Sequence, residues 1–423
     1  MILIYVPEFS ERIKYTFSFI FEKILGISFR LTNCSNNFIN ESSPKFSYSF
    51  SSLKNEIHFS SCNLLFETDI KSQNLIEILN DPFATTFFLL SRYEEYLPYQ
   101  GDIHHRFSYK ASLVKGKIDP LIPWIDTFAF DLFNQLKKKF PSLVYKNRKF
   151  TFINTIDIDH AWLYKNKFWF KNFKSLGKKG LTFRWKDFYH QILVLSGLKL
   201  DPYFIYPYIQ HLNITTFYFI SFGLGGRWDT NHHPKNIAYR KLICQLYNQD
   251  YSTIGLHPSY ESNKDFTILK MEKLALEKLL QQKISFSRQH FIKLHLPNTY
   301  YNLINLNISA DFSMGFQDHI GFRAGTCTPF YWFDLKNNKI SELKIYPFCV
   351  MDVTLKNYMK LSIEEAENKI LNLLDSVKKV NGTFISIFHN DSLSNYGEWE
   401  LWRNVYEKLI FKANDLQVYP QNH

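Results

Sequence analysis

The spacing of apolar positions changes character near residue 150. Before that point, a short apolar run at 2–6 is followed by Ile13, Phe17, Ile20, Phe21, Ile24 and Leu25. The run predicts a strand, and the spacing of the six predicts a helix. Asp81-Pro82 announces a second helix, with a capping acid ahead of a first-turn proline. Its apolar positions are Phe83, Phe87, Phe88, Leu90 and Leu97, and it should stop near Pro98. The charges of Arg92, Glu94 and Glu95 on it read as a solvated face. Residues 1–110 are therefore expected as a small α/β domain. An amphipathic helix over 122–139 ends in three lysines, which suit its negative end. With it, 111–150 form a helical connector.

From 151 the pattern becomes strand then helix, repeated. Candidate strands are 151–157, 215–222, 252–256, 284–290, 308–312, 344–352 and 383–389. Helical stretches lie at 265–282, 297–306, 361–380 and 398–413. Such alternation implies an α/β fold with a parallel sheet, and seven units favour a closed barrel over 151–423. The 163–212 stretch, rich in Trp, Phe and Lys, breaks the rhythm and reads as an insertion or lid.

Composition narrows the functional classes. The 423 residues allow two or three domains, and 45% hydrophobic residues suit a globular chain. The net charge of +11 is spread along the chain with no arginine-rich arm, so no nucleic-acid partner is expected. Five scattered cysteines without a Cys-x-x-Cys spacing exclude a disulfide framework and a zinc ribbon. Glu22 and Lys23 interrupt the most apolar segment, so no transmembrane segment is expected. The N-terminus reads as a strand rather than a secretory signal, which gives a cytoplasmic location.

The chemistry concentrates at strand ends. Residues 151–160 read Thr-Phe-Ile-Asn-Thr-Ile-Asp-Ile-Asp-His, so an apolar strand delivers Asp157 and Asp159 to one side, with His160 next. Two such carboxylates stay ionised only beside a cation or a basic partner, which points to a metal and a base. The alternative is a strand running into an acidic capping turn. Other strand ends supply His257, then Arg288 and His290, then Asp311 with Arg323 following, and finally His389-Asn390-Asp391. In a parallel barrel, functional side chains gather at this end of the strands.

On these motifs the chain resembles the polysaccharide deacetylases of the NodB-homology type, the family-4 carbohydrate esterases. Thr155-Ile156-Asp157-Ile158-Asp159 matches their first motif, Gly255-Leu256-His257 the second, Arg288 the arginine of the third, and His389 the final histidine. The resemblance covers 151–413 and implies a distorted (β/α)7 barrel that removes acyl groups, N-acetyl above all, from carbohydrate. It implies a divalent metal, zinc first, with cobalt, manganese and nickel as alternatives. Asp157 would be the general base braced by Arg288, Asp159 and His257 metal ligands, and His389 the acid for the leaving group. The Tyr260 backbone N–H would stabilise the oxyanion. His290, Arg323 and Asn390 would line the substrate site.

The chain departs from the family pattern in two places. Glu261 stands where the second metal histidine belongs, four positions after His257. Glu261 is therefore a candidate third ligand, with His160 and His290 as rivals. Gln289-His290 replaces the proline turn of the third motif. The substrate is expected to be a carbohydrate, lipid-linked or nucleotide-linked. The competing reading is a degenerate barrel that binds glycan or scaffolds polysaccharide assembly. His104-His105 and His232-His233 read as surface pairs, although Asp229 and His232 could reach the cleft mouth. Tyr331, Trp332 and Trp399 are candidate sugar-stacking rings, with core packing as the alternative.

Overall fold

A computed structural model describes residues 1–53, 56–167 and 169–418. Two sheets organise it. The first is parallel, with spatial order β2-β1-β3-β4, built from β1 (Ile2–Tyr5), β2 (Phe29–Thr32), β3 (Lys45–Ser49) and β4 (His58–Ser60). The expected first helix follows β1 over Glu11–Phe17 and continues as a π-helical stretch, Ser18–Ile24. Asp81 caps the next helix, Pro82–Leu90, by accepting from the backbone N–H groups of Phe83 and Ala84.

That helix stops earlier than expected, because Arg92 adopts a left-handed backbone (φ 54°). The turn carries Arg92, Glu94 and Glu95 inward. All three are buried, so the expected solvated face is overturned. Arg92 donates to both glutamates at 2.7 Å, and Arg323 pairs with Glu95, its Nε lying 2.9 Å from Oε1.

The second sheet has nine strands in the order β10-β11-β9-β8-β7-β6-β5-β13-β12. In chain order they are β5 (Thr151–Ile158), β6 (Thr216–Ile220), β7 (Ser252–Leu256), β8 (Phe286–Ser287), β9 (Ala310–Asp311), β10 (Phe330–Asp334), β11 (Lys339–Ile345), β12 (Val350–Met351) and β13 (Thr383–His389). All pairings are parallel except the β10–β11 hairpin. The expected strand 344–352 is two strands, not one. Its start belongs to β11 beside β9, and its end is β12 beside β13. One chain segment thus runs from beside one edge strand of a curled, open sheet to the opposite edge, in place of the sixth of the seven expected strands.

Alternation along the strands sorts the core into two populations. Phe217, Phe219, Ile385 and Ile387 join Phe286, Phe312, Phe348 and Met351 in a small inner cluster. Their sequence neighbours Tyr218, Ile220, Phe384 and Phe388 face outward into the large core shared with the helices. Register then sets the functional row, for Asp157 pairs with His389 on one side and with Phe219 on the other. Phe219 in turn pairs with Gly255. A Cβ at Gly255 would stand 2.6 Å from the Phe219 ring, so glycine makes room for that ring.

The N-terminal sheet is not a detached module. Its helices pack Tyr15 and Phe87 on Phe333 of the hairpin, and Tyr15 Oη donates to the Tyr331 carbonyl at 2.7 Å. Helix Trp124–Lys139 contributes the buried Asp126, which accepts from Thr326 Oγ1 (2.6 Å), the Cys327 N–H (3.1 Å) and Arg148 Nη2 (2.8 Å). The expected insertion lies between β5 and β6 as helices Trp169–Leu181, Trp185–Leu195 and Tyr206–His211. Trp332 and Trp399 are core residues, and the half-exposed Tyr331 belongs to the hairpin beneath the N-terminal helices.

Candidate metal centre

β5 ends by placing Asp157 inside and carrying Asp159 just beyond the strand. Asp159 meets His257, which follows β7, and His290, which follows β8. Ligand atoms of these three residues lie within 4.8 Å of one another. His257 Nε2 is 3.2 Å from Asp159 Oδ1, and His290 Nε2 is 3.5 Å from Asp159 Oδ2. His257 Nε2 and Asp159 Oδ1 are both buried without a hydrogen bond.

Tautomers follow from the opposite ring edges. His257 Nδ1 is 2.7 Å from the Arg288 carbonyl, which can only accept, so Nδ1 carries the hydrogen. His290 Nδ1 lies 2.8 Å from Asp229 Oδ1 and is fixed in the same way. Each Nε2 is thereby turned toward Asp159. Two imidazole nitrogens and one carboxylate suit zinc and its first-row neighbours, and burial with unsatisfied lone pairs is what a cation would relieve. The residues present therefore fit a divalent metal.

Charge in the cluster is strongly coupled. Burial alone would push Asp159 up, but His290 and His257 outweigh it and hold the carboxyl well below its usual range. For His290, burial pushes down while Asp159 and Asp229 pull the imidazole up to about 9.

Asp157 stands beside this group with a different partner. Arg288 Nη1 donates to its Oδ1 at 2.8 Å and to Thr155 Oγ1 at 2.6 Å. Arg288 is itself buried, with its guanidinium 4.3 Å from the Phe219 ring centroid and its Nε donating to the Phe312 carbonyl. The other Asp157 oxygen, Oδ2, lies 3.8 Å from His257 Nε2. On the far side, His389 Nε2 is 4.0 Å from Asp159 Oδ2, and its Nδ1 lies 2.8 Å from Asp352 Oδ1. Burial opposes protonation of His389, yet Asp352 overcomes it and raises the imidazole well above its ordinary value. Asp352 also accepts from the His389 backbone N–H and from Ser392 Oγ, so its own position is fixed.

Several expected site residues fall elsewhere. Glu261 is exposed at the start of a 3₁₀ turn and lies outside the ligand group, whose third member is His290. His160 is also outside it, with ring nitrogens bonded to Thr230. The Tyr260 N–H donates to Asp229 Oδ1 at 2.9 Å, so it is not a free oxyanion donor. Arg323 is bound in the Glu95 ion pair and is not a substrate ligand. Asn390 spends its amide on the carbonyls of His160 (2.7 Å) and Tyr203 (3.2 Å), which braces the insertion against the sheet end. Asp311 is buried, accepting from Ser287 and Ser313.

Of the histidine pairs, His105 and His233 are exposed. His104 and His232 are buried, contrary to the surface reading. A cleft of about 730 Å³, lined by His160, Lys167, Asp229, Asn231 and His233, opens beside the centre.

The sequence reading gave Asp352 and Ser392 no role. Asp352 had a signal, since Val350-Met351-Asp352 is another apolar strand ending in an acid.

A family model described as a family of unknown function (DUF7033) matches residues 2–141. No curated protein matches the chain. Among solved structures, it is similar to a putative polysaccharide deacetylase from Mycobacterium smegmatis, at 11% identity and TM-score 0.38. That match covers 65% of this chain and 93% of the other. A polysaccharide deacetylase from Bacillus cereus matches at 7% identity and TM-score 0.31, over 63% of this chain and 88% of its own. An allantoinase matches at 9% identity and TM-score 0.37, over 63% and 84%.

Proposed function

We propose that this chain is a divalent-metal-dependent hydrolase that removes an acyl group, N-acetyl first, from a carbohydrate. The observation that carries the reading is the buried, unsatisfied pair His257 Nε2 and Asp159 Oδ1 at 3.2 Å, with His290 Nε2 completing the donor set. Asp159, His257 and His290 would hold the cation. Bound there, a divalent metal supplies Lewis acidity, which lowers the pKa of water and stabilises developing negative charge.

The remaining steps belong to the chain's own groups. Asp157, oriented through Oδ1 by Arg288, takes the proton of the attacking water on Oδ2. Arg288 holds that carboxylate in place. His389, held by Asp352 as the imidazolium, gives its Nε2 proton to the leaving nitrogen. The base and the acid are register partners on neighbouring strands, with the acid's Nε2 4.0 Å from Asp159 Oδ2. The sugar class rests on the motif resemblance around Asp157, Asp159, His257, Arg288 and His389.

The test is acetate release from N-acetylated sugar oligomers by the metal-loaded chain. Release that disappears in Asp157→Asn is the expected result. No release from any N- or O-acetylated sugar, with metal demonstrably bound, would contradict the assigned reaction.

A further inference from the structure

The insertion between β5 and β6 has a composition unlike the rest of the chain. Nine Lys and Arg residues lie in 161–200 against a single acid, Asp187. That acid is spoken for, since Asp187 accepts from Tyr396 Oη (3.0 Å) and Arg184 Nε (2.8 Å). The inner side of the helical pair is tied to the sheet end. Gln191 and Val194 are buried, Lys179 Nζ donates to Gln191 Oε1 at 2.7 Å, and Tyr164 Oη meets Tyr396 Oη at 3.2 Å.

The outer side is apolar and open. On helix Trp185–Leu195, Trp185, Tyr189 and Ile192 fall at i, i+4 and i+7, one stripe, with Trp185 58% and Tyr189 64% exposed. The turn joining the two helices exposes Leu181 (83%) and Phe183 (78%). Exposed Lys174 and Lys178 flank this surface from helix Trp169–Leu181. An exposed apolar patch of this kind marks an interaction site.

We infer that this helical pair docks on an anionic lipid surface. Aromatic and aliphatic side chains on the outer face, rimmed by cations with almost no acid among them, are what an interfacial helix needs: area to bury at the acyl boundary and charge to meet the headgroups. No helix among the described residues is long and apolar enough to cross a membrane, so the contact lies on the surface. The inference stands on the insertion alone and does not rest on the metal reading.

The test is co-sedimentation of the full chain with vesicles of phosphatidylcholine, with and without phosphatidylglycerol, at low and high salt. Binding is expected only to the anionic vesicles and should weaken with salt. The paired substitutions Phe183→Ser with Trp185→Ser, and Lys174→Glu with Lys178→Glu, should each weaken it by roughly tenfold or more at unchanged melting temperature. Asp159→Ala should bind vesicles like the unsubstituted chain, which separates this result from loss of the metal. No binding to anionic vesicles, or equal binding by both paired variants, would overturn the inference. So would a dimer of the unsubstituted chain that Phe183→Ser with Trp185→Ser dissociates, which would assign the face to a second copy.

Discussion

His290 Nδ1 lies 2.8 Å from Asp229 Oδ1, and that contact turns His290 Nε2 toward Asp159. Asp229 is itself fixed by the Tyr260 N–H. A carboxylate behind a metal-binding histidine sets both its tautomer and its basicity. Asp229→Asn should therefore lower metal affinity by about 10–100-fold while leaving the fold intact. Competition against a chromophoric chelator measures this directly, and unchanged affinity would remove Asp229 from the centre.

The Asp352–His389 pair makes a prediction about pH. As the acid, His389 works only while protonated, and Asp352 is what raises its pKa. Neutralising that carboxylate in Asp352→Asn lowers the His389 pKa, so the alkaline limb of kcat/KM should move to lower pH. His389→Ala should lose the limb altogether and reduce kcat by about 10²–10⁴-fold. A pH profile on an acylated sugar with a good leaving group serves as the control. There, the His389→Ala loss should shrink, because that leaving group needs little protonation.

Arg323 is assigned to structure by its partner. Its guanidinium and the Glu95 carboxylate are both buried, in a pair that joins the N-terminal region to the second sheet. Removing one member of such a pair strands the other charge, and Glu95→Gln should cost about 3–5 kcal/mol in urea unfolding. Metal content per folded chain should not change. A loss of activity without a loss of stability would return Arg323 to the substrate site.

Burial pushes the His232 imidazole down to about 4, so the folded chain resists protonating it. Between pH 6.5 and pH 4 the unfolded state binds the extra proton. Stability from this group is therefore full above about pH 6.5 and is lost as pH falls, by about 3 kcal/mol in all. His232→Gln should flatten that part of the stability profile, measured by denaturant midpoints across the range. An unchanged slope would show that His232 is not the group being titrated.

How much of this was legible follows from the range of each interaction. Asp157, Asp159, His257, Arg288 and His389 could be read because each sits at the end of a strand whose apolar pattern is local. The choice between Glu261 and His290 could not. A spacing of four residues from His257 pointed to Glu261, whereas the strand geometry carries His290 back to Asp159. Arg92 and Glu95 looked like a solvated helix face because their partner, Arg323, is remote in sequence. The hairpin β10–β11 was missed because its second strand and β12 run nearly together along the chain and read as one strand, although β11 lies inside the edge strand β10 and β12 forms the opposite edge.

Metal content per chain tests the central claim most directly. On protein purified without chelator and titrated with zinc, cobalt and manganese, the account predicts about one tightly held metal per chain. It should be lost in Asp159→Ala, His257→Ala and His290→Ala, and retained in Glu261→Ala. Failure to bind any of the three metals at excess would contradict the metal-hydrolase account. Loss in Glu261→Ala with retention in His290→Ala would contradict the ligand set.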